Sequence, residues 1–142
     1  PICIMHMSGS PKNMQENPIY DDVVSEVREG LAKSASMLND NGVDNSRISG
    51  DPGLGFGKLL EHNISLLSAG REVLPSEEMG LMWGVSRKSM FSDLLGRKPT
   101  SERLAGTLGI ASQARGLGVD IIRVHDVAEH ADLFAAIESL RR

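Results

Sequence analysis

Apolar residues in this chain gather in four short runs, and each run is followed by a longer stretch in which they recur at helical spacing. The first run, residues 1–7, carries Ile2, Cys3, Ile4 and Met5 in series and reads as a buried strand. A polar loop rich in Ser, Gly, Pro and Asn fills residues 8–17. Asp21 or Asp22 can then cap a helix whose inner face is Val23, Val24, Val27, Leu31, Ala35 and Leu38, with Gly42 as its stop. The second run, 47–51, predicts a strand weakened by Ser49 and Gly50, and a glycine-rich loop leads from it to a helix over 59–73.

The third run predicts a strand over 79–85, and helical sequence resumes near Lys88 until Pro99 interrupts it. Thr100 or Ser101 is placed to cap the next helix, which carries Leu104, Leu108 and Ala111 and ends at Gly116 and Gly118. Residues 119–124 form the clearest strand, centred on Ile121 and Ile122. Ala131, Phe134, Ile137 and Leu140 mark an amphipathic helix over 128–140. Continuously apolar strands alternating with helices define an α/β class with a parallel sheet. The pattern permits half of an eight-stranded α/β barrel or a small doubly wound sheet, and periodicity alone does not choose between them. No repeat or linker divides residues 1–142, so they read as one unit.

Composition narrows the partners. Hydrophobic residues make up 40% and charged residues 24%, which is the balance of an ordinary globular chain. No apolar stretch approaches the roughly 20 residues needed to span a bilayer. No basic segment leading into an apolar one marks a secretory signal. A net charge of −4 and an aromatic content of 4% argue against a nucleic-acid partner, which would ask for a basic face or stacking rings. The single cysteine, Cys3, cannot close an internal disulfide and fits a reducing, cytoplasmic setting, with a buried strand position as its expected place.

Polar motifs fall where the apolar runs end. Met5-His6-Met7 closes the first, Asp51-Pro-Gly-Leu-Gly-Phe-Gly-Lys58 the second, Ser86-Arg-Lys-Ser89 the third and Arg123-Val-His125-Asp126 the fourth. In a parallel sheet these ends share one rim, where α/β proteins build their sites. Asp51 is suited either to accept two N–H bonds from a flat heterocycle or to cap its own loop. Phe56 is either a plug on the rim or a flat surface for an aromatic ligand, and Lys58 is expected to be solvated. Arg87 and Lys88 are adjacent, so one faces the site and the other the helices. Arg123 and His125 are two apart and share a face, a fork and a second donor suited to diphosphate oxygens. The four histidines are dispersed, and His6 has no neighbour at metal-ligand spacing.

In this order the motifs resemble dihydropteroate synthases, which carry M-H-M-x-G-x-P-x-x-M-Q, D-P-G-x-G-F-G-K, G-x-S-R-K-S and I-R-V-H-D-V in the second half of their sequence. The resemblance runs over the whole chain and includes Ser101-Glu-Arg-Leu104. It implies strands five to eight of a (β/α)8 barrel and a transferase that joins a pterin diphosphate to 4-aminobenzoate, releasing dihydropteroate and diphosphate. It also implies that Asp51 and Lys88 grip the pterin with Met5 and Gly84 against it, and that Phe56 and Ser86 lie beside 4-aminobenzoate, where sulfonamides also bind. Arg123 and His125 would hold the diphosphate, with Mg2+ bound chiefly through the diphosphate itself. A homodimer follows if the barrel is complete.

The family's first-strand Asn, its pterin-site Asp and Asn on the third and fourth strands, and its two mobile loops have no counterpart here. Arg47-Ile48-Ser49-Gly50 stands where an apolar run is usual. The start at Pro1, directly on a strand, leads to the expectation of a longer parent protein and of an isolated chain that is inactive. A methyltetrahydrofolate–corrinoid methyltransferase-like barrel would account for Asp51 but not for S-R-K-S with R-V-H-D. A non-catalytic pterin-binding remnant is the third reading.

Overall fold

The computed structural model describes residues 1–8, 18–96 and 99–140; the loop expected over 8–17 lies almost wholly outside them. Four strands, β1 (Ile2–Met5), β2 (Ile48–Asp51), β3 (Gly80–Trp83) and β4 (Ile121–Ile122), form one parallel sheet in the order β1-β2-β3-β4. The helices are α1 (Val23–Asn39), α2 (Leu60–Ala69), α3 (Met90–Leu94), α4 (Leu104–Ala111) and α5 (Val127–Ser139). Three single 3-10 turns, Asn45–Arg47, Gly70–Val73 and Thr100–Glu102, complete the set among the described residues.

Strand order decides what periodicity left open. Parallel crossovers are right-handed, so strands laid down strictly in sequence send every connecting helix to the same face. A doubly wound sheet needs an order that reverses. This one never does, as in a barrel wall. On the helix-bearing face Ile48, Leu81 and Trp83 are buried, and α1 packs Val23, Val27, Leu31 and Ala35 against them. The register pairs Met5 with Asp51 and Met82 with Ile121, so the alternate residues Cys3, Met5, Asp51, Met82 and Ile121 point to the other face.

No helix among the described residues covers that second face, and two expectations are corrected. β1 is largely exposed rather than buried: Met5, on this face, is 40% exposed, and Ile2, on the other face at the start of the strand, is equally so. Cys3 is exposed as well, its Sγ 3.6 Å from Met82 Sδ. The predicted strand over 119–124 shrinks to two paired residues, Ile121 and Ile122, facing Met82 and Trp83 of β3. Beyond it α5 has little to cover: His130 is its one buried residue, Phe134 and Ile137 are half-buried, and Leu140 is 86% exposed.

Local chemistry sets the helix ends. Asp22 caps α1, its carboxylate accepting from the N–H groups of Val24 and Ser25, and the chain leaves the helix through Gly42. The segment over 59–73 tightens at Gly70 into a 3-10 turn instead of continuing as α-helix. Neither Thr100 nor Ser101 caps α4. They lie in a separate turn, and Arg103 occupies the cap position with its guanidinium directed elsewhere.

Leu31 is 1% exposed, so Leu31→Ala should cost about 2–5 kcal/mol, whereas Asp22→Ala should cost only about 1 kcal/mol. Urea unfolding of the two variants checks this, and equal losses would contradict the core assigned here.

Candidate functional site

The ends of β2, β3 and β4 meet at the rim of the uncovered face. Asp51 ends β2 and is 3% exposed, although it is ionisable. Its Oδ1 accepts the N–H of Gly53 at 2.8 Å, and its Oδ2 lies 3.8 Å from the Arg123 guanidinium. Burial raises the Asp51 pKa, while the Gly53 bond and then the charges of Arg123, Lys88 and Lys58 oppose the shift. Gly53 is obligatory: its φ is 70°, and a Cβ there would fall 1.8 Å from the His6 carbonyl oxygen.

The glycine loop is fixed from three sides. Asn63 in α2 accepts the Gly55 N–H at 2.8 Å, and the Tyr20 hydroxyl donates to the Gly57 carbonyl at 2.8 Å. Lys58, expected to be solvated, is instead 4% exposed, with Nζ 3.0 Å from the Phe56 carbonyl and 3.2 Å from His6 Nδ1. Burial takes its pKa down to about 8, partly opposed by Asp51. The sequence reading missed this lysine because its stem is covered by the loop it follows, and missed Asn63 and Tyr20 because nothing in their spacing marks them.

Phe56 presents its ring to Lys88, whose Nζ lies 4.2 Å from the ring centre. Lys88 is half-buried, which lowers its pKa against the pull of Asp51. Arg87 points the other way, to Asp126, through a left-handed backbone and not through the alternation of an extended strand. That guanidinium holds the Asp126 carboxyl below its ordinary range.

A cavity of about 380 Å³ is lined by Gly84, Ser86, Lys88, Arg123, Val124 and His125. Arg123 lies across Gly84, where a Cβ would come within 2.8 Å of the guanidinium. Ser86 is engaged with His125, its Oγ accepting the His125 N–H at 3.1 Å and lying 2.9 Å from Nδ1. The structure therefore sets Asp51, Gly84, Ser86, Lys88, Arg123 and His125 around one rim, with Phe56 joined through Lys88. Met5 shares the face at the end of β1, 40% exposed and outside the cavity lining.

These side chains offer four cationic or hydrogen-donating groups, Ser86, Lys88, Arg123 and His125, and one buried carboxylate, a set for an anion beside a heterocycle. They do not suit a protein-held Mg2+. No group of three or more His, Cys, Asp or Glu that could hold a metal ion occurs among the described residues. No helix among them is long and apolar enough to cross a membrane.

Fold and rim together define an α/β protein with a cationic, hydrogen-bonding site at its strand ends. Residues 1–125 match the family described as pterin binding enzyme, and the chain belongs to that family. It is 45% identical over 139 residues to the dihydropteroate synthase of Neisseria meningitidis serogroup C, a match covering 98% of this chain and 49% of that protein. The Yersinia pestis dihydropteroate synthase, solved with a sulfonamide drug complex, superposes with a TM-score of 0.91 at 39% identity, covering 99% of this chain and 50% of that one. The Burkholderia cenocepacia dihydropteroate synthase complexed with 7,8-dihydropteroate gives a TM-score of 0.90 at 41% identity, covering 98% and 52%. This chain thus spans about half the length of the relatives it matches, and its sheet corresponds to half of their barrel.

Two outcomes test the site. Gly84→Ala should push Arg123 off the backbone, and a crystal structure with Arg123 unmoved would contradict the close approach described. His6 has its pKa lowered from 6.5 to about 4, first by burial and then by Lys58. The native state then binds fewer protons than the unfolded chain between those values, so this contribution to stability is complete above pH 6.5 and fades toward pH 4. His6→Asn should flatten the fall in unfolding free energy over that interval, measured by urea titration at stepped pH.

Proposed function

We propose that residues 1–142 form the last four β/α units of a dihydropteroate synthase, acting in the cytoplasm as part of a complete, dimeric barrel. One observation carries the reading: the Arg123 guanidinium lies across Gly84 and 3.8 Å from the buried Asp51 carboxylate, so an anion site and a heterocycle acceptor adjoin. The 45% identity to a named dihydropteroate synthase supports the same assignment.

In this reading Asp51 accepts the ring N–H groups of a pterin and Lys88 donates to its carbonyl, with Met5 and Gly84 against the ring. Phe56 and Ser86 border the 4-aminobenzoate. Arg123 and His125 hold the diphosphate. The bond between the pterin's exocyclic methylene carbon and the diphosphate oxygen breaks, and a bond to the aminobenzoate nitrogen forms as that nitrogen loses one proton. Charge grows on the departing diphosphate, so fixed donors placed there lower the barrier more than contacts to the uncharged parts. A Mg2+ ion carried by the diphosphate would supply further neutralising charge there, while this chain's Arg123 and His125 hold the diphosphate itself.

Calorimetric titration of the chain with inorganic pyrophosphate, with and without Mg2+, tests the anion site, and titration with the pterin diphosphate tests the rest. Arg123→Ala should weaken pyrophosphate binding by about tenfold or more, the loss of a charge-assisted pair. Lys88→Ala should weaken the pterin diphosphate more than pyrophosphate. The chain alone is expected to bind without turnover. Absence of any pyrophosphate affinity in the unaltered chain would overturn the assignment.

A further inference from the structure

Arg87 is the one residue other than glycine with a positive φ among those described, at 57°. A side chain of this size is strained there, and such strain persists only where the surroundings over-determine it. Three groups do so. The Thr107 hydroxyl, fully buried in α4, accepts the Arg87 N–H at 3.3 Å, and the Arg103 guanidinium donates to the Arg87 carbonyl at 2.9 Å. The Arg87 side chain forms a two-pronged pair with Asp126, its Nε 3.1 Å from Oδ2 and its second nitrogen bonded to Oδ1.

Asp126 sits at the cap position of α5, where a carboxylate ordinarily accepts the helix's free N–H groups, and it makes no such bond. Its carboxylate serves Arg87 instead. The His130 ring, one helical turn on, meets the Asp126 carbonyl at 2.6 Å and fixes the same residue from behind. These contacts bracket the pair that lies in the rim. Ser86 precedes Arg87, His125 precedes Asp126, and the Ser86 hydroxyl meets both nitrogens of His125 that face it.

We infer that Arg87 is a positioning residue: its left-handed backbone and its fork on Asp126 strap the loop after β3 to the loop after β4. The strap holds Ser86 against His125 while Lys88 faces Phe56. This rests on the function proposed above only for what the strapped groups bind; the strap itself is a property of the chain.

The test is amide hydrogen exchange at His125, whose N–H the strap keeps on Ser86, compared with the β3 amides as an internal reference. Arg87→Gly removes the fork yet tolerates the positive φ, and should speed His125 exchange about tenfold, as losing one hydrogen bond would, without speeding β3. Asp126→Asn should do the same from the other side, and it decides the matter if Arg87→Gly fails to fold. Exchanging the partners, Arg87→Asp with Asp126→Arg, should restore most of the protection. His125 exchange unchanged in the single variants, or faster by the same factor in β3, would overturn the strap. A chain that binds no pyrophosphate but loses His125 protection in these variants refutes the functional reading and leaves the strap standing.

Discussion

The site is organised around a carboxylate that has been taken out of water. Asp51 is 3% exposed, and an isolated ionised carboxylate in that position would be costly enough to force its protonation. Compensation comes from the Gly53 N–H and from three nearby cations, Arg123, Lys88 and Lys58. Each makes a demand on the chain. Gly53 must be glycine, Gly84 must leave room for Arg123, and Lys58 must run beneath the loop that carries Phe56. The Gly53 N–H, the buried lysine and the cationic rim thus converge on one group's solvation.

The strand order supplies the geometry that makes this compensation possible. With every helix on one face, the alternate residues of the sheet are free to converge on the other, and the register aligns Met5 with Asp51. The loops then bring Ser86 to His125 and Arg123 to Gly84. The apolar face carries the folding energy through Leu31, Leu81 and Trp83, whereas the polar rim is held by hydrogen bonds and ion pairs. Substitutions on the two sides should therefore separate into those that change stability and those that change binding.

Much of this was legible beforehand. The four apolar runs and the Asp22 cap follow from local rules, since each depends on neighbours a few positions away. What escaped depends on contacts between distant segments. Lys58 is buried because Phe56 and His6 close over it, and Ser86 is tied to His125 across 39 positions. Asp126 stands at the cap position of α5 but pairs with Arg87, since a guanidinium fork competes successfully for the same oxygens. β1 and Cys3 were expected to be buried because an apolar run says nothing about whether both faces of its sheet are covered.

The order β1-β2-β3-β4 also bears on how the chain reaches this state. Each strand pairs with the next one in sequence, so every ladder closes a loop of one β/α unit and none waits for a distant segment. Such local closures are entropically cheap and favour rapid folding. They also allow each unit to dock on its predecessor as it leaves the ribosome, which makes N- to C-terminal growth of the sheet its natural direction. The anion-binding end, on β4, forms after β1, β2 and β3, and Asp51 is without its Arg123 counter-charge until β4 arrives.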